Sequence, residues 1–105
     1  MAIALVIELP GITQEQYQKV QDSLGLKGPE TWPTGMIIHV AGPTASGWEI
    51  LNVWESRELF DRFVSGRLAP IMREVGMPQP QQVQEFPVYN IQQRTAGADP
   101  KQRAA

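Results

Sequence analysis

The chain contains no cysteine. Disulfides, thiolate metal sites and cysteine nucleophiles are therefore excluded together. It has one histidine, and its carboxylates are scattered without ligand spacing, so no metal is expected. There is no basic run, and 9 Lys and Arg stand against 11 Asp and Glu for a net charge of −2. That balance argues against a nucleic-acid partner. The longest apolar run, Ala2–Ile7, is too short to span a bilayer, so no membrane partner is expected. The first residues lack a Lys/Arg-rich segment and a cleavage pattern, which makes the cytoplasm the expected location. No phosphate-cradling glycine motif is present. A Ser–His–Asp hydrolase has no supporting residue order.

What is present is a globular composition. The 105 residues are 42% hydrophobic, which suits one domain and a core without staples. Folding a chain of this length buries roughly 65% of its unfolded surface. The expected domain covers residues 1–92, followed by a flexible C-terminal tail over 93–105 that has little apolar material.

Ala2–Leu9 is short, β-rich and apolar on both alternating faces, and Pro10-Gly11 ends it. Thr13–Leu24 has helical spacing. Thr13 and Gln16 satisfy a capping box, Ile12 and Tyr17 a hydrophobic staple, and Gly25 a C-terminal stop. Tyr17, Val20 and Leu24 form its apolar stripe. A Pro/Gly-punctuated loop over Leu26–Gly35 carries Trp32. Met36–Ala41 predicts a strand, Gly42–Gly47 a rather long hairpin connection, and Trp48–Glu55 the partner strand. Ser56 caps a second helix with Phe60, Phe63, Val64 and Leu68 on its apolar stripe. Gly66 and Pro70 predict a bend there, with a continuation through Ile71 and Met72 to Val75. Pro78–Pro80 is a connector, and Val83–Ile91 predicts a last strand with Pro87 at an edge or bulge.

The order βαββαβ predicts an α+β, ferredoxin-like fold. Its four-stranded antiparallel sheet has strands one and three at the centre and both helices on one face. The uncovered face should then be polar, but these strands are apolar on both sides. Ile3, Leu5 and Ile7 alternate with Ala4 and Val6, while Ile37 and Ala41 alternate with Met36, Ile38 and Val40. Ile50 and Trp54 likewise alternate with Leu51 and Val53. At about 25 cal/mol per Å² of apolar area, a wet second face forfeits many kcal/mol. A homodimer with sheet packed on sheet is the expected solution.

The segment Ile50–Phe60 is an apolar strand ending in Trp54-Glu55-Ser56, followed by a helix with Phe60 four positions beyond Ser56. In this it resembles the dimeric α/β-barrel superfamily, and especially its antibiotic-biosynthesis-monooxygenase-like branch. By element order the resemblance covers about Ala2–Ile91. It implies a dimeric α/β barrel enclosing a cavity between sheet and helices. The chemistries it allows are cofactor-independent monooxygenation of polyketide phenols, haem degradation, lactone isomerisation and polyketide cyclisation. The haem-degrading members carry an Asn in the first strand, a Trp before the second helix and a His on that helix. Only the Trp has a counterpart here, Trp54, so haem catalysis is not expected, nor is any other cofactor. The same resemblance implies that Trp54 faces the ligand cavity, whereas as a large aromatic residue it reads as core packing.

His39 interrupts an apolar strand. It reads either as a general acid/base in the cavity or as a core histidine held by a carbonyl, and the sequence leaves its face open. Asn52 shares a strand face with Trp48, Ile50 and Trp54 by period two. There it can donate to a developing oxyanion or enolate. Tyr89 reads as a group orienting a substrate, or as a rim residue. Tyr17, Phe60, Phe63, Leu68, Ile71 and Met72 line the helical side, as core or as ligand box. Trp32 is an entrance residue or a simple anchor. Two functions follow. One is a cofactor-independent enzyme using His39, Asn52 and Tyr89 on a small hydrophobic, aromatic or polyketide-like substrate. The other is a non-catalytic binding or stress-response accessory protein with the same cavity.

Overall fold

A computed structural model describes residues 1–78 and 82–94. Strand β1 is Ile3–Pro10 and helix α1 is Gln14–Leu24. Strands β2, Met36–Thr44, and β3, Gly47–Trp54, form a hairpin. Helix α2, Arg57–Phe63, leads into a π-helical turn at Val64–Leu68 and then helix α3, Ala69–Glu74. Strand β4 is Gln82–Pro87. The antiparallel sheet has the order β2-β3-β1-β4, the ferredoxin-like arrangement predicted for this element order.

Local chemistry explains the boundaries. In α1 the Thr13 hydroxyl accepts from Gln16 N–H at 3.2 Å, and Gln16 Oε1 accepts from Thr13 N–H at 2.9 Å. Gly25 closes the helix at φ 73°, a left-handed conformation natural to glycine. At α2 the Ser56 hydroxyl accepts from Leu59 N–H at 3.2 Å. The expected bend appears as the π-helical turn, in which Ala69 N–H donates to the Val64 carbonyl five residues back. Pro70 has no N–H, and its ring crowds the carbonyl four residues earlier; a wider turn relieves both problems.

Three expectations change. The β2–β3 connection is tighter than expected. Pro43 and Thr44 remain in β2, and only Ala45-Ser46 turn. Since β2 is an edge strand, Pro43 forfeits no bond in the sheet interior. Gly47 allows the close approach, because a Cβ there would lie 2.4 Å from the Leu9 carbonyl oxygen. Second, the last strand ends at Pro87 rather than Ile91. Third, a bulge between Met36 and Ile38 turns Met36 to the opposite face from Ile38 and Val40. Residues 79–81, which take in the expected connector beyond Pro78, and most of the expected tail, 95–105, lie outside the described residues.

The register separates the two sheet faces. Ile3, Leu5, Ile7 and Leu9 pair with Trp54, Asn52, Ile50 and Trp48 on the face beneath the helices. The main core sits there with Val20 and Leu24 of α1, Phe60 and Phe63 of α2, and Met72 of α3; Leu5 and Trp54 are fully buried. The opposite face carries Ala4, Val6, Ile38, Val40, Leu51, Val53 and Phe86. Val40 and Phe86 are more than half exposed, at 55% and 52%. Among the described residues no helix is long and apolar enough to cross a membrane.

Candidate functional site

Asn52 of β3 and His39 of β2 are directly paired across the hairpin, on the face beneath α1. Asn52 is 6% exposed, and it is the buried polar residue of the described core. A buried amide needs partners. Asn52 Oδ1 lies 2.7 Å from His39 Nδ1. An amide oxygen only accepts, so Nδ1 carries the ring proton and donates it. In the neutral form of the ring Nε2 is then the acceptor. Tyr17 of α1 meets it, its hydroxyl 2.5 Å from Nε2 and donating to it. Burial raises the Tyr17 phenol above its ordinary pKa, which keeps the donor protonated.

Packing fixes this row of three. The Tyr17 ring lies against Trp48, with centroids 5.1 Å apart and planes tilted by 32°. The Tyr17 and His39 planes differ by only 9°, with centroids 6.1 Å apart. With the hydroxyl on Nε2, that spacing sets the nearly parallel rings end to end rather than face to face.

The row forms one wall of a cavity between sheet and helices. Its other walls are apolar: Ile7, Leu9 and Ile50 from the sheet, Val20 and Leu24 from α1, and Phe60, Phe63 and Leu68 from the second helical arm. Gln21 adds one further polar group, and Tyr17 and His39 are the titratable groups of the lining. The enclosed volume is about 70 Å³. An engineered apolar cavity that takes up benzene measures about 150 Å³, so a ringed ligand enters only if the walls yield. Met36, Met72 and Met77 line the cavity, and methionine is the side chain that repacks most easily. Among the described residues no group of three or more His, Asp or Glu is placed to hold a metal ion.

Of the residues singled out from sequence, the fold gathers His39, Asn52, Tyr17, Phe60, Phe63, Leu68 and Met72 around the cavity. It does not bring Tyr89 there. Tyr89 is fully exposed and borders a groove on the opposite sheet face, with Ile38, Leu51 and Phe86. The reason is the early end of β4, after which the chain leaves the sheet. Trp54 lies behind the cavity, fully buried against Phe60 and Phe63 at centroid distances of 5.6 and 5.5 Å. Trp32 and Ile71 also stand outside the lining. Sequence reasoning missed Ile7 and Leu9 of β1, and it placed Ile50 on the face of Asn52 without carrying it into the lining. It also missed Gln21, one helical turn from Tyr17. No local signal marked Met36, because a bulge turns it inward.

No family model and no curated protein matches the chain. Solved structures do match its fold. A protein from Chloroflexus aurantiacus assigned as an antibiotic biosynthesis monooxygenase superposes with a TM-score of 0.62 at 11% identity, covering 89% of this chain and 98% of its own. A variant of SnoaB, a cofactor-independent oxygenase from Streptomyces nogalater, gives 0.56 at 10% identity over 86% and 93% of the two chains. A Deinococcus radiodurans protein, also assigned as an antibiotic biosynthesis monooxygenase, gives 0.52 at 10% identity over 90% and 99%. The chain therefore has the ferredoxin-like fold shared by antibiotic-biosynthesis-monooxygenase-like proteins. At such identities the likeness concerns architecture, and the chemistry has to be argued from the site.

Proposed function

We propose that the protein is a small enzyme that works without a cofactor on an apolar, aromatic or polyketide-like substrate bearing an acidic C–H or O–H. The observation that carries this reading is an imidazole held at Nδ1 by Asn52 and met at Nε2 by Tyr17, set in the wall of an otherwise apolar cavity. His39 takes the substrate proton, and Asn52 Oδ1 stabilises the imidazolium through Nδ1–H. The Asn52 amide hydrogens serve the substrate anion. Phe60, Phe63 and Leu68 hold the rings. The anion then reacts with dioxygen, regains its proton elsewhere as an isomer, or closes a ring. The fold likeness to a cofactor-independent oxygenase supports the first outcome.

The exposed apolar sheet face supports a homodimer packed sheet to sheet, which would complete an α/β barrel. The confined cavity, with few polar groups, also supports a second reading, a binding protein that performs no chemistry. Thermal-shift screening of phenols and enolisable aromatic ketones, followed by turnover assays on the binders, separates the two. Conversion that disappears in a folded His39→Ala variant supports the enzyme. Conversion undiminished by that substitution removes His39 from the mechanism, and tight binding without conversion assigns the binding protein.

A further inference from the structure

The nitrogen that should receive a substrate proton is already covered. His39 Nδ1 is committed to Asn52 at 2.7 Å, and Nε2 to the Tyr17 hydroxyl at 2.5 Å. Both ring nitrogens are in use, and the end-to-end alignment of the two rings puts the hydroxyl where a substrate would have to approach. Tyr17 is held there by Trp48 on its flank, so displacing it would disturb the packing of α1 on the sheet. Tyr17 is itself one of the residues that line the cavity.

We infer that Tyr17 is a catalytic residue, the group that meets the substrate and passes its proton to His39. This rests on the reading of His39 as the base. In one step the substrate C–H or O–H bond breaks and its proton bonds to Tyr17 Oη. The original phenolic proton leaves Oη for His39 Nε2. Substrate becomes an anion, His39 an imidazolium, and Tyr17 ends neutral as it began. No tyrosinate accumulates, in keeping with the raised phenol pKa. His39 is then the proton store, and Asn52, besides serving the anion, fixes its tautomer. Tyr17 and His39 are the only titratable groups lining the cavity among the described residues, so no other side chain there offers a competing route.

Two measurements on the full chain test the relay. The first is the ¹⁵N spectrum of the imidazole, simplified by the single histidine. Tyr17→Phe keeps the ring and its packing, and should move Nε2 to the position of a free acceptor while Nδ1 stays protonated. An Nε2 signal unmoved by Tyr17→Phe overturns the inference whatever the substrate. The second is hydrogen–deuterium exchange of the acidic C–H of 2-tetralone in D₂O. Tyr17→Phe and His39→Gln should each lower the turnover rate by about 10²-fold or more, the usual contribution of a positioned acid–base group. KM should change little for Tyr17→Phe. Wild-type turnover in Tyr17→Phe with loss in His39→Gln overturns the relay but leaves His39 as a direct base. Wild-type protein exchanging no faster than buffer overturns both the relay and the enzyme reading.

Discussion

Asn52 Oδ1 accepts the Nδ1 proton of His39 at 2.7 Å, from the position directly opposite it on the neighbouring strand. The contact joins two residues 13 positions apart, and both are oriented by sheet register before any ligand arrives. Such a pair selects one tautomer and so decides which nitrogen can act as a base.

Asn52→Leu preserves size but removes the acceptor. The imidazole then loses its fixed tautomer, and its half-buried Nδ1 loses its partner. We expect a stability loss of about 1–3 kcal/mol, read by urea unfolding, and a mixed-tautomer ¹⁵N spectrum. A variant as stable as wild type with an unchanged tautomer would show that the amide does not hold the ring.

Tyr17 makes stability depend on pH at the alkaline end. Burial raises its pKa in the folded chain, whereas in the unfolded chain a tyrosine ionises near about 10. Between those two values the unfolded chain has released a proton that the folded chain retains, so stability falls as pH rises. The contribution is whole below about pH 10 and is lost as pH climbs through the folded-state value. Unfolding free energies of Tyr17→Phe should lack this decline. Identical alkaline profiles for the two proteins would contradict it.

Trp54 is fully buried between Phe60 and Phe63, and its indole N–H finds no acceptor among the described residues. Trp54→Ala should cost about 3–5 kcal/mol through the cavity it opens. Trp54→Phe should cost much less, since it keeps an aromatic ring and removes an unsatisfied donor. Chemical denaturation of both variants checks the pair. Equal, small losses would place Trp54 outside the packed core.

Val40 lies on the sheet face away from the helices and is 55% exposed in the single chain. If that face is buried against a second copy, Val40→Lys places an uncompensated charge in an apolar interface, at a cost of order 3–5 kcal/mol. Sedimentation should then show dimers for wild type and single subunits for the variant, with the monomer fold retained. Single subunits for wild type at micromolar concentration would defeat the barrel assembly.

Much of the fold was legible because its signals are local. The capping box of Thr13 and Gln16, the stop at Gly25 and the cap at Ser56 each involve residues within a few positions of one another. Gly66 and Pro70 announced a bend, although not that a π turn would make it. Tertiary context lengthened β2 through Pro43, since an edge strand tolerates a missing N–H. It also ended β4 early, which carried Tyr89 away from His39.

By itself the sequence determined the order of elements, the two apolar faces of the sheet and the residue types available for chemistry, because periodicity and capping act over short stretches of chain. Only the tertiary structure decided which of those residues meet. Strand register set Asn52 opposite His39, a bulge turned Met36 inward, and the packing of α1 across the sheet set the Tyr17 hydroxyl on Nε2. Those contacts join different elements, and no local pattern encodes the distance between them.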